Sequence, residues 1–517
     1  MEKERIVKAA GIVGVGTFFS RLFGLVRLQV IAYIFGYSPA TDAFWIGFTL
    51  PNLFRSLLAE GALSIAFIPV FSEWLRNKSR KEAEILASNI LNILLLILIV
   101  TVTVGIFFAP FYVPWLAFGF KGSFSQMQLA IKLTQIMFPF LLFISIAALA
   151  MAILNCERHF FSPAFAPVLF NIAIIFSAVL LSSRYGIYSL AIGVVLGGGV
   201  QLFFQLPFLK AKGYSYHFVL SFKDAGVRKI FKLMGPAALG GMTLQINILI
   251  NRVFASTLPP GGISSLQYAM RLIQLPIGLF AIAFSTAIFP SLSSLDIRED
   301  LKEFRETLSL GLRMVFFLLI PSSAGLIIIG KLLISLIFQH GAFLLEDTLA
   351  TYQALFYYSV GLFAMGGVMV LNRAFYSLQD MVTPLKISFL TMVVNVTLNF
   401  LLISPLRQGG LALATSISMI INMAILLFLL RKRLKKIEGG KILLSLLKVS
   451  LSSSIMIGGI YLFIKITSML EEISSLFLQI IQLSGSLGIG IGIFSLLAYF
   501  LKLEEFGKVR QILKKVI

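Results

Sequence analysis

Residues 42–72 read DAFWIGFTLPNLFRSLLAEGALSIAFIPVFS and decide the class of fold. The stretch is long enough to cross a bilayer, because a transmembrane helix needs about 20 mostly apolar residues. It nevertheless carries Arg55 near its middle, about 20 Å from Asp42 along an α-helix. An arginine at the centre of a membrane helix costs about 2.5–3.5 kcal/mol, so its presence predicts a solvated cavity or an anionic ligand.

The apolar pattern of this stretch recurs along the whole chain. The 517 residues are 58% hydrophobic and 13% charged, with a mean hydropathy of +0.96, which is too apolar for a soluble domain. We therefore predict an all-α polytopic membrane protein with 14 transmembrane helices. The predicted segments are 9–35, 42–72, 84–112, 127–154, 161–182, 186–209, 230–256, 263–292, 308–338, 349–375, 384–404, 409–430, 443–466 and 474–500.

The net charge of +21 is explained by membrane orientation rather than by nucleic-acid binding. Most lysines and arginines lie in short loops on one side of the predicted helices, which predicts cytoplasmic N- and C-termini. The basic, apolar start resembles a signal peptide, but no small-residue cleavage site follows and Arg21 interrupts the run, so we expect an uncleaved first helix. A single cysteine, Cys156, excludes an internal disulfide, and we expect neither a cofactor nor a metal site.

Short matches between the two halves indicate an internal repeat. Leu154-Asn155 precedes Pro167 as Leu371-Asn372 precedes Pro384, an offset of 217 residues, and Gly186 and Gly409 open similar segments at an offset of 223. Such repeats are typical of transporters that work by alternating access. We predict two six-helix lobes around a central cavity, one in 1–212 and one in 213–436. Two extra helices with a cytoplasmic tail are predicted in 437–517.

Charged residues inside the apolar segments are the best indication of function. Arg21 and Arg55 fall near mid-membrane depth, whereas Arg27 and Arg271 fall in the outer half, where snorkelling or a structural pair with Asp42 is the alternative. Arg252, near the end of its segment, fits snorkelling better. The acidic residues in these segments are Asp42 and Glu60, which we assign to gating or charge pairing.

Several arginines around one cavity predict a polyanionic ligand. Guanidinium groups bind phosphate and carboxylate oxygens bidentately, so a diphosphate headgroup fits and a soluble organic anion is the alternative. The charge-free stretch 475–500, with Gly488, Gly490 and Gly492, suits either a lipid groove or simple helix packing. Candidate hinges are Gly24, Pro51 and Pro276, although glycine and proline are also common in membrane helices.

Four stretches resemble the MurJ/MviN family of lipid II flippases, within the multidrug/oligosaccharidyl-lipid/polysaccharide exporter superfamily. The most specific is 40–73, and the likeness in topology covers the whole chain. The stretches are SRLFGLVR at 20–27, ATDAFWIGFTLPNLFRSLLAEGALSIAFIPVFSE at 40–73, LQYAMRLIQLPIGLF at 266–280 and FQHGAF at 338–343.

The resemblance implies a flippase for peptidoglycan biosynthesis, cell wall biogenesis and cell shape. It would move undecaprenyl-diphosphate-linked peptidoglycan precursor (lipid II) from the cytoplasmic to the outer leaflet of the bacterial inner membrane, alongside cell-wall synthesis proteins. Where the family usually has acidic residues, this chain has Leu28 and Met270, which predicts a more positive cavity. By motif position the family's cavity arginines correspond to Arg21, Arg27, Arg55 and Arg271, and its acidic residue to Asp42.

Three other classes of protein are the alternatives. A flippase for another isoprenoid-linked oligosaccharide has the same physical requirements and is the nearest one. A drug or cation antiporter is expected to place more carboxylates in the membrane than Asp42 and Glu60. An integral-membrane enzyme needs a cluster of His, Asp or Glu at the interface, and the sequence has no such spacing. We therefore predict a transporter rather than an enzyme.

Overall fold

A computed structural model describes residues 2–57, 63–295, 300–469 and 475–516. Within these ranges the regular secondary structure is helical and contains no β-strand, which confirms the all-α class. The helices are α1 (Glu2–Phe35), α2 (Pro39–Phe54), α3 (Ser64–Asn77), α4 (Arg80–Phe107), α5 (Ala109–Leu116), α6 (Phe124–Met137), α7 (Phe140–Cys156), α8 (Phe161–Tyr185), α9 (Tyr188–Ala211), α10 (Ala225–Ser256), α11 (Gly262–Pro276), α12 (Ile282–Ser293), α13 (Leu301–Phe338), α14 (Leu345–Val360), α15 (Leu362–Ser377), α16 (Val382–Leu406), α17 (Gln408–Arg433), α18 (Gly439–Thr467), α19 (Ser475–Phe500) and α20 (Glu504–Val516).

Each of the fourteen predicted segments coincides with one helix or with two consecutive helices. Among the described residues, eleven helical stretches are long and apolar enough to cross a membrane, and a twelfth is the bent pair α14 and α15. The other two predicted segments correspond to α10 and to the pair α2 and α3, which flank residues 58–62. The chain is therefore a polytopic integral membrane protein.

The helices pack into two compact units. The first contains the chain up to Ser264 together with Gly341–Phe343, and the second contains Ser265–His340 and Leu344 onward. In the first unit α8 packs against both α1 and α9, and α10 packs mainly against α3. The predicted divisions after residues 212 and 436 stay predictions.

Small and aromatic residues set the packing of the first unit. Gly16 of α1 lies so close to α8 that a Cβ there would be 2.7 Å from the Cβ of Ala164, so only glycine fits without a shift. Deeper in the unit the rings of Phe67 and Phe71 are stacked at 4.9 Å and buried against α4 and α7. These contacts fix α1 and α3, the helices on either side of α2.

Helix α13 organises the second unit. Its 38 residues contact α14, α15, α18 and α19, and Phe317 packs on Phe494 of α19 with ring centroids 5.1 Å apart. The two helices predicted to be surplus, α18 and α19, therefore pack on α13. Of the glycines in α19, Gly490 faces Ile460 of α18, whereas a Cβ added at Gly488 would meet nothing within 4 Å.

The predicted repeat is visible in where helices break. The second and fourth segments of the first half are split into α2/α3 and α6/α7, and the equivalent segments of the second half are split into α11/α12 and α14/α15. Helix pairs α8/α9 and α16/α17 are likewise equivalent and closely packed in each half. Equivalent segments of the two halves therefore contain paired helices, although α4 is followed by the separate short helix α5 and the equivalent α13 is a single helix. Of these pairs, α14 and α15 are bent by 44°.

Turn geometry gives the register of this repeat. Arg158 and Gln379 follow α7 and α15 with φ values of 56° and 57°, and Gly186 and Arg407 follow α8 and α16 with φ values of 53° and 50°. Both pairs are 221 residues apart, so neither sequence offset, 217 nor 223, is the structural one. At this offset Pro384 corresponds to Pro163 rather than to Pro167.

Candidate functional site

Arg21 and Arg27 lie on the long helix α1. The Arg21 side chain is partly exposed, and none of the described residues places a carboxylate within ion-pair distance of it. Arg27 is about 9 Å further along the axis, and its guanidinium lies 5.8 Å from the ring centroid of Phe170 on α8. It also lines a small cavity with Trp45 and Ile174. The two cations therefore have different surroundings.

Arg55 lies immediately after α2, where the helix changes type. Residues 55–57 are π-helical, and the Arg55 Nε donates a hydrogen bond of 3.0 Å to the Asn52 Oδ1. The next residue, Ser56, accepts a hydrogen bond of 3.0 Å from the Gln245 amide of α10. π-Helical geometry next to an α-helix is frequent at functional sites. Sequence reasoning missed Asn52 and Gln245, because nothing in their spacing links them to Arg55.

Asp42 is buried at the start of α2 and is held by the turn before α11. Its Oδ2 accepts a hydrogen bond of 2.6 Å from the Gly261 backbone, and its Oδ1 accepts bonds from the backbone and hydroxyl of Ser264 at 2.9 and 2.7 Å. Gly261 has a φ of +87°, which favours glycine. The positive charge of Arg252 also acts on Asp42. The sequence signals for this turn are the run Pro259-Pro260-Gly261-Gly262 and the serines after it.

Arg271 belongs to the second unit, on α11, and is partly buried. One turn earlier on the same helix Tyr268 is fully buried, and its ring lies 5.1 Å from that of Phe338 on α13. This aromatic contact packs α11 against α13 one turn from Arg271. The convergence of Arg271 with the arginines of the first unit stays a prediction.

The candidate hinges differ in their local structure. Pro51 lies inside α2 and precedes the π-helical turn at 55–57, while Pro276 ends α11 and precedes the π-helical turn Ile277–Ala281. A proline lacks the backbone N–H that continues a helical ladder, which accounts for a change of helix type nearby. Gly24 is buried within the unbroken α1. Glu60 lies outside the described residues, and its predicted gating role stays a prediction.

Helices α16 and α17 of the second unit carry buried amide side chains. Asn395 and Asn399 of α16 are buried and linked by a hydrogen bond of 3.2 Å, and Asn422 of α17 donates one of 2.9 Å to Thr391. Across the described ranges, no three His, Cys, Asp or Glu side chains come together as a metal site would require.

These features define a class of protein. Two repeated sets of membrane helices that carry arginines inside their spans are the architecture of an alternating-access transporter. Residues 31–481 of the chain match the family described as "Lipid II flippase MurJ". The chain belongs to this family, and it is a transporter rather than an enzyme.

Curated relatives agree with this assignment. A probable lipid II flippase MurJ from Buchnera aphidicola subsp. Schizaphis graminum is 39% identical over 81% of this chain and 82% of its own length. The corresponding protein from Vibrio cholerae is 38% identical over 82% of both chains. The lipid II flippase MurJ of Burkholderia cenocepacia is 34% identical over 81% of this chain and 82% of its own.

Solved structures support the fold. A structure described as lipid II flippase MurJ in an inward closed conformation superimposes with a TM-score of 0.79 at 32% identity, covering 95% of this chain and 98% of that one. An inward-facing multidrug resistance MATE family transporter of the MOP superfamily gives 0.68 at 15% identity, covering 80% and 94%. At that identity the second likeness shows the fold alone.

Proposed function

We propose that this protein moves lipid II, the undecaprenyl-diphosphate-linked peptidoglycan precursor, from the cytoplasmic to the outer leaflet of the bacterial inner membrane by alternating access. The observation that carries the proposal is Arg21: it lies in a membrane helix, partly exposed, with no carboxylate of the described residues beside it. A cation in that setting attracts an anionic ligand far more strongly than one in water. A lipid diphosphate supplies that charge.

The proposed binding residues are Arg21, Arg27, Arg55 and Arg271. Neutralising mutually repelling cations with a diphosphate favours a state in which they are close, and a ligand shifts a conformational equilibrium by such differential affinity. Pro51 and Pro276, each next to a π-helical turn, are the proposed hinges. Asp42 and Glu60 are the proposed gating residues, and the Asp42 hydrogen bonds to the turn at Gly261 and Ser264 would hold one end of α2 while the other moves.

Orientation and partners complete the proposal. Most basic loops lie on the side that holds both termini, so we place both termini in the cytoplasm. The proposed transport delivers lipid II to the outer leaflet, where cell-wall synthesis would use it. Cell-wall synthesis proteins are therefore the proposed partners.

The test is a translocation assay in proteoliposomes that contain fluorescent lipid II. Wild-type protein is expected to expose the labelled headgroup to the opposite leaflet, and Arg21→Gln and Arg55→Gln are expected to abolish this exposure. Arg184→Gln is the matched control, because Arg184 is exposed at the end of α8 and packs on Tyr185. Normal translocation by both cavity variants would reject the proposed site. Equal translocation of another isoprenoid-linked oligosaccharide would reject the proposed substrate.

A further inference from the structure

The segment between α9 and α10 leaves α9 through a defined turn. Gly213 has a φ of +71°, its backbone nitrogen donates to the Lys210 carbonyl at 2.8 Å, and the Tyr214 nitrogen donates to the Leu209 carbonyl at 3.1 Å. These two bonds form the Schellman arrangement that ends a helix and redirects the chain. Arg80 of α4 donates a hydrogen bond to the Lys212 carbonyl and strengthens the turn.

Beyond this turn, polar side chains of α4 hold the segment along the helix. The Asn89 amide is bonded twice to the backbone of Ser221: its Nδ2 donates to the carbonyl at 2.9 Å, and its Oδ1 accepts from the nitrogen at 2.8 Å. The Asn92 Nδ2 donates to the Val219 carbonyl at 2.8 Å. The Ser88 hydroxyl accepts from the His217 nitrogen at 3.1 Å. The side chains of α4 thus satisfy the backbone of every second residue of the segment.

The large apolar side chains next to those bonded positions are exposed instead. Phe218, Leu220 and Phe222 are 85%, 51% and 54% exposed, while His217, Val219 and Ser221 are partly buried. Tyr216 differs, because its hydroxyl donates a hydrogen bond of 2.8 Å to the Asn92 Oδ1 of α4. This is the period-two alternation of an extended chain, with a row of large apolar side chains on its outer side. We call Phe218, Leu220 and Phe222 the outer row. A row of this kind needs a partner to cover it.

The depth of the outer row follows from α4. Asn92 lies about 22 Å before Phe107, the last residue of α4, at about 1.5 Å per residue. The hydrocarbon core is about 30 Å thick, so residues 88–92 fall near its boundary on the side where α4 begins. Tyrosine and other aromatic residues accumulate at this level. The outward backbone groups of the segment can still reach headgroups and water there, which they could not do deeper in the bilayer.

Basic residues surround the outer row. They are exposed, two before and two after residues 214–222, where anionic headgroups would meet them. The four are Lys210, Lys212, Lys223 and Arg228. A soluble partner would not require the outer row to lie at headgroup depth, and a neutral membrane surface would not require the basic residues around it.

We propose that residues 214–222 form an in-plane membrane anchor, in which the outer row inserts into the headgroup boundary of an anionic leaflet and α4 holds the backbone in place. The connection between the two halves of the chain is thereby kept at the membrane surface. The claim concerns lipid contact only, so it stands or falls independently of the transported substrate.

The test uses spin labels in a Cys156→Ser background. Phe218→Cys and Leu220→Cys label the outer row, and Ser215→Cys labels an exposed polar position just before it. In proteoliposomes containing phosphatidylglycerol, both outer-row labels are expected to collide with oxygen more often than with a water-soluble nickel complex. The Ser215 label is expected to show the reverse. Replacing phosphatidylglycerol by phosphatidylcholine is expected to raise nickel access at both outer-row positions about threefold, because the basic residues lose their counterions.

Three results would overturn the proposal. If the outer-row labels meet the nickel complex as freely as the Ser215 label, the row faces water. If they meet neither reagent, the row is covered by protein. If their nickel access is the same in both lipids, the anionic leaflet is not the partner. Using two outer-row positions keeps the test decisive if one label disturbs folding.

Discussion

Ser264 donates two hydrogen bonds to the same oxygen of Asp42, one from its backbone nitrogen at 2.9 Å and one from its hydroxyl at 2.7 Å. Together with the bond from Gly261 to the other oxygen, they join the start of α2 to the turn that precedes α11. Asp42 was predicted from charge alone to act in gating. Its geometry adds a structural role, because a buried carboxylate with three donors stabilises the turn that provides them.

Asp42→Ala is expected to lower the free energy of unfolding by about 2–4 kcal/mol, because it leaves three buried donors without an acceptor. Ser264→Ala removes only the hydroxyl donor and is expected to cost about 1 kcal/mol. Thermal unfolding of both purified variants in detergent measures the difference. An unchanged unfolding temperature for Asp42→Ala, combined with lost transport, would contradict the structural role and leave gating alone.

A second prediction concerns the C-terminal helix α20. Arg313 of α13 is almost buried, and its Nη1 lies 2.9 Å from the Glu504 Oε2 and 3.0 Å from the Glu505 Oε1. Glu505, itself buried, also accepts a hydrogen bond from Ser445 of α18. The hydrogen bond from Arg313, together with its charge, lowers the pKa of Glu504 from its ordinary value.

A carboxylate with a lowered pKa contributes stability above its unfolded value and loses that contribution as the pH falls through its folded value. We therefore expect α20 to stay attached at pH 7 and to loosen as the pH falls below the ordinary glutamate pKa of about 4.3. Hydrogen exchange of residues 504–511, corrected for the intrinsic rate, measures the change. Glu504→Gln should exchange faster than wild type already at pH 7; protection equal to that of wild type at both pH values would contradict the attachment.

The repeat predicts that substitutions at two equivalent turns change the stability of the protein in opposite directions. Gly186 and Arg407 end equivalent helices with nearly the same backbone angles, φ 53° and ψ −135° against φ 50° and ψ −127°. A side chain in this region is strained by about 1–3 kcal/mol. Arg407→Gly is therefore expected to stabilise the protein by about 1 kcal/mol, after the extra entropy loss of glycine, and Gly186→Ala to destabilise it by a similar amount. Unfolding temperatures that shift in the same direction for both variants would exclude this account.

The sequence predicts where the helices lie but not where they change from α-helical to π-helical geometry. Apolar length predicts every segment, because burial in lipid is a property that a window of residues shares. The changes from α-helical to π-helical geometry after Phe54 and Pro276 are local, and proline is too common in membrane helices to indicate which one alters the hydrogen-bond ladder.

The register of the repeat and the partners of Asp42 were missed for the same reason. Matching Pro384 with Pro167 aligns identical residues, whereas matching the turns at Gly186 and Arg407 aligns equivalent backbone conformations. Gly261 and Ser264 lie more than two hundred residues from Asp42 in sequence, and their contact forms only through packing. Charge and depth along the helix predict the arginines, whereas the groups beside each arginine are determined by tertiary packing.

The last prediction separates recognition by shape from attraction by charge at Arg55. Its Nε donates to Asn52 at 3.0 Å, which orients the guanidinium at the π-helical turn. A guanidinium binds two phosphate oxygens at once, whereas an ammonium acts as a point charge, so Arg55→Lys keeps the charge and loses the fork. We expect Arg55→Lys to reduce lipid II translocation about tenfold, which corresponds to about 1.4 kcal/mol.

The matched control for Arg55→Lys is Arg184→Lys, which is expected to translocate at the wild-type rate, and Asn52→Ala is expected to lower the rate in wild type but not in Arg55→Lys. That pattern would mean that Asn52 acts through the orientation of the guanidinium. Full activity of Arg55→Lys would instead mean that charge alone suffices at this position, and the diphosphate would then have to be recognised by the other arginines.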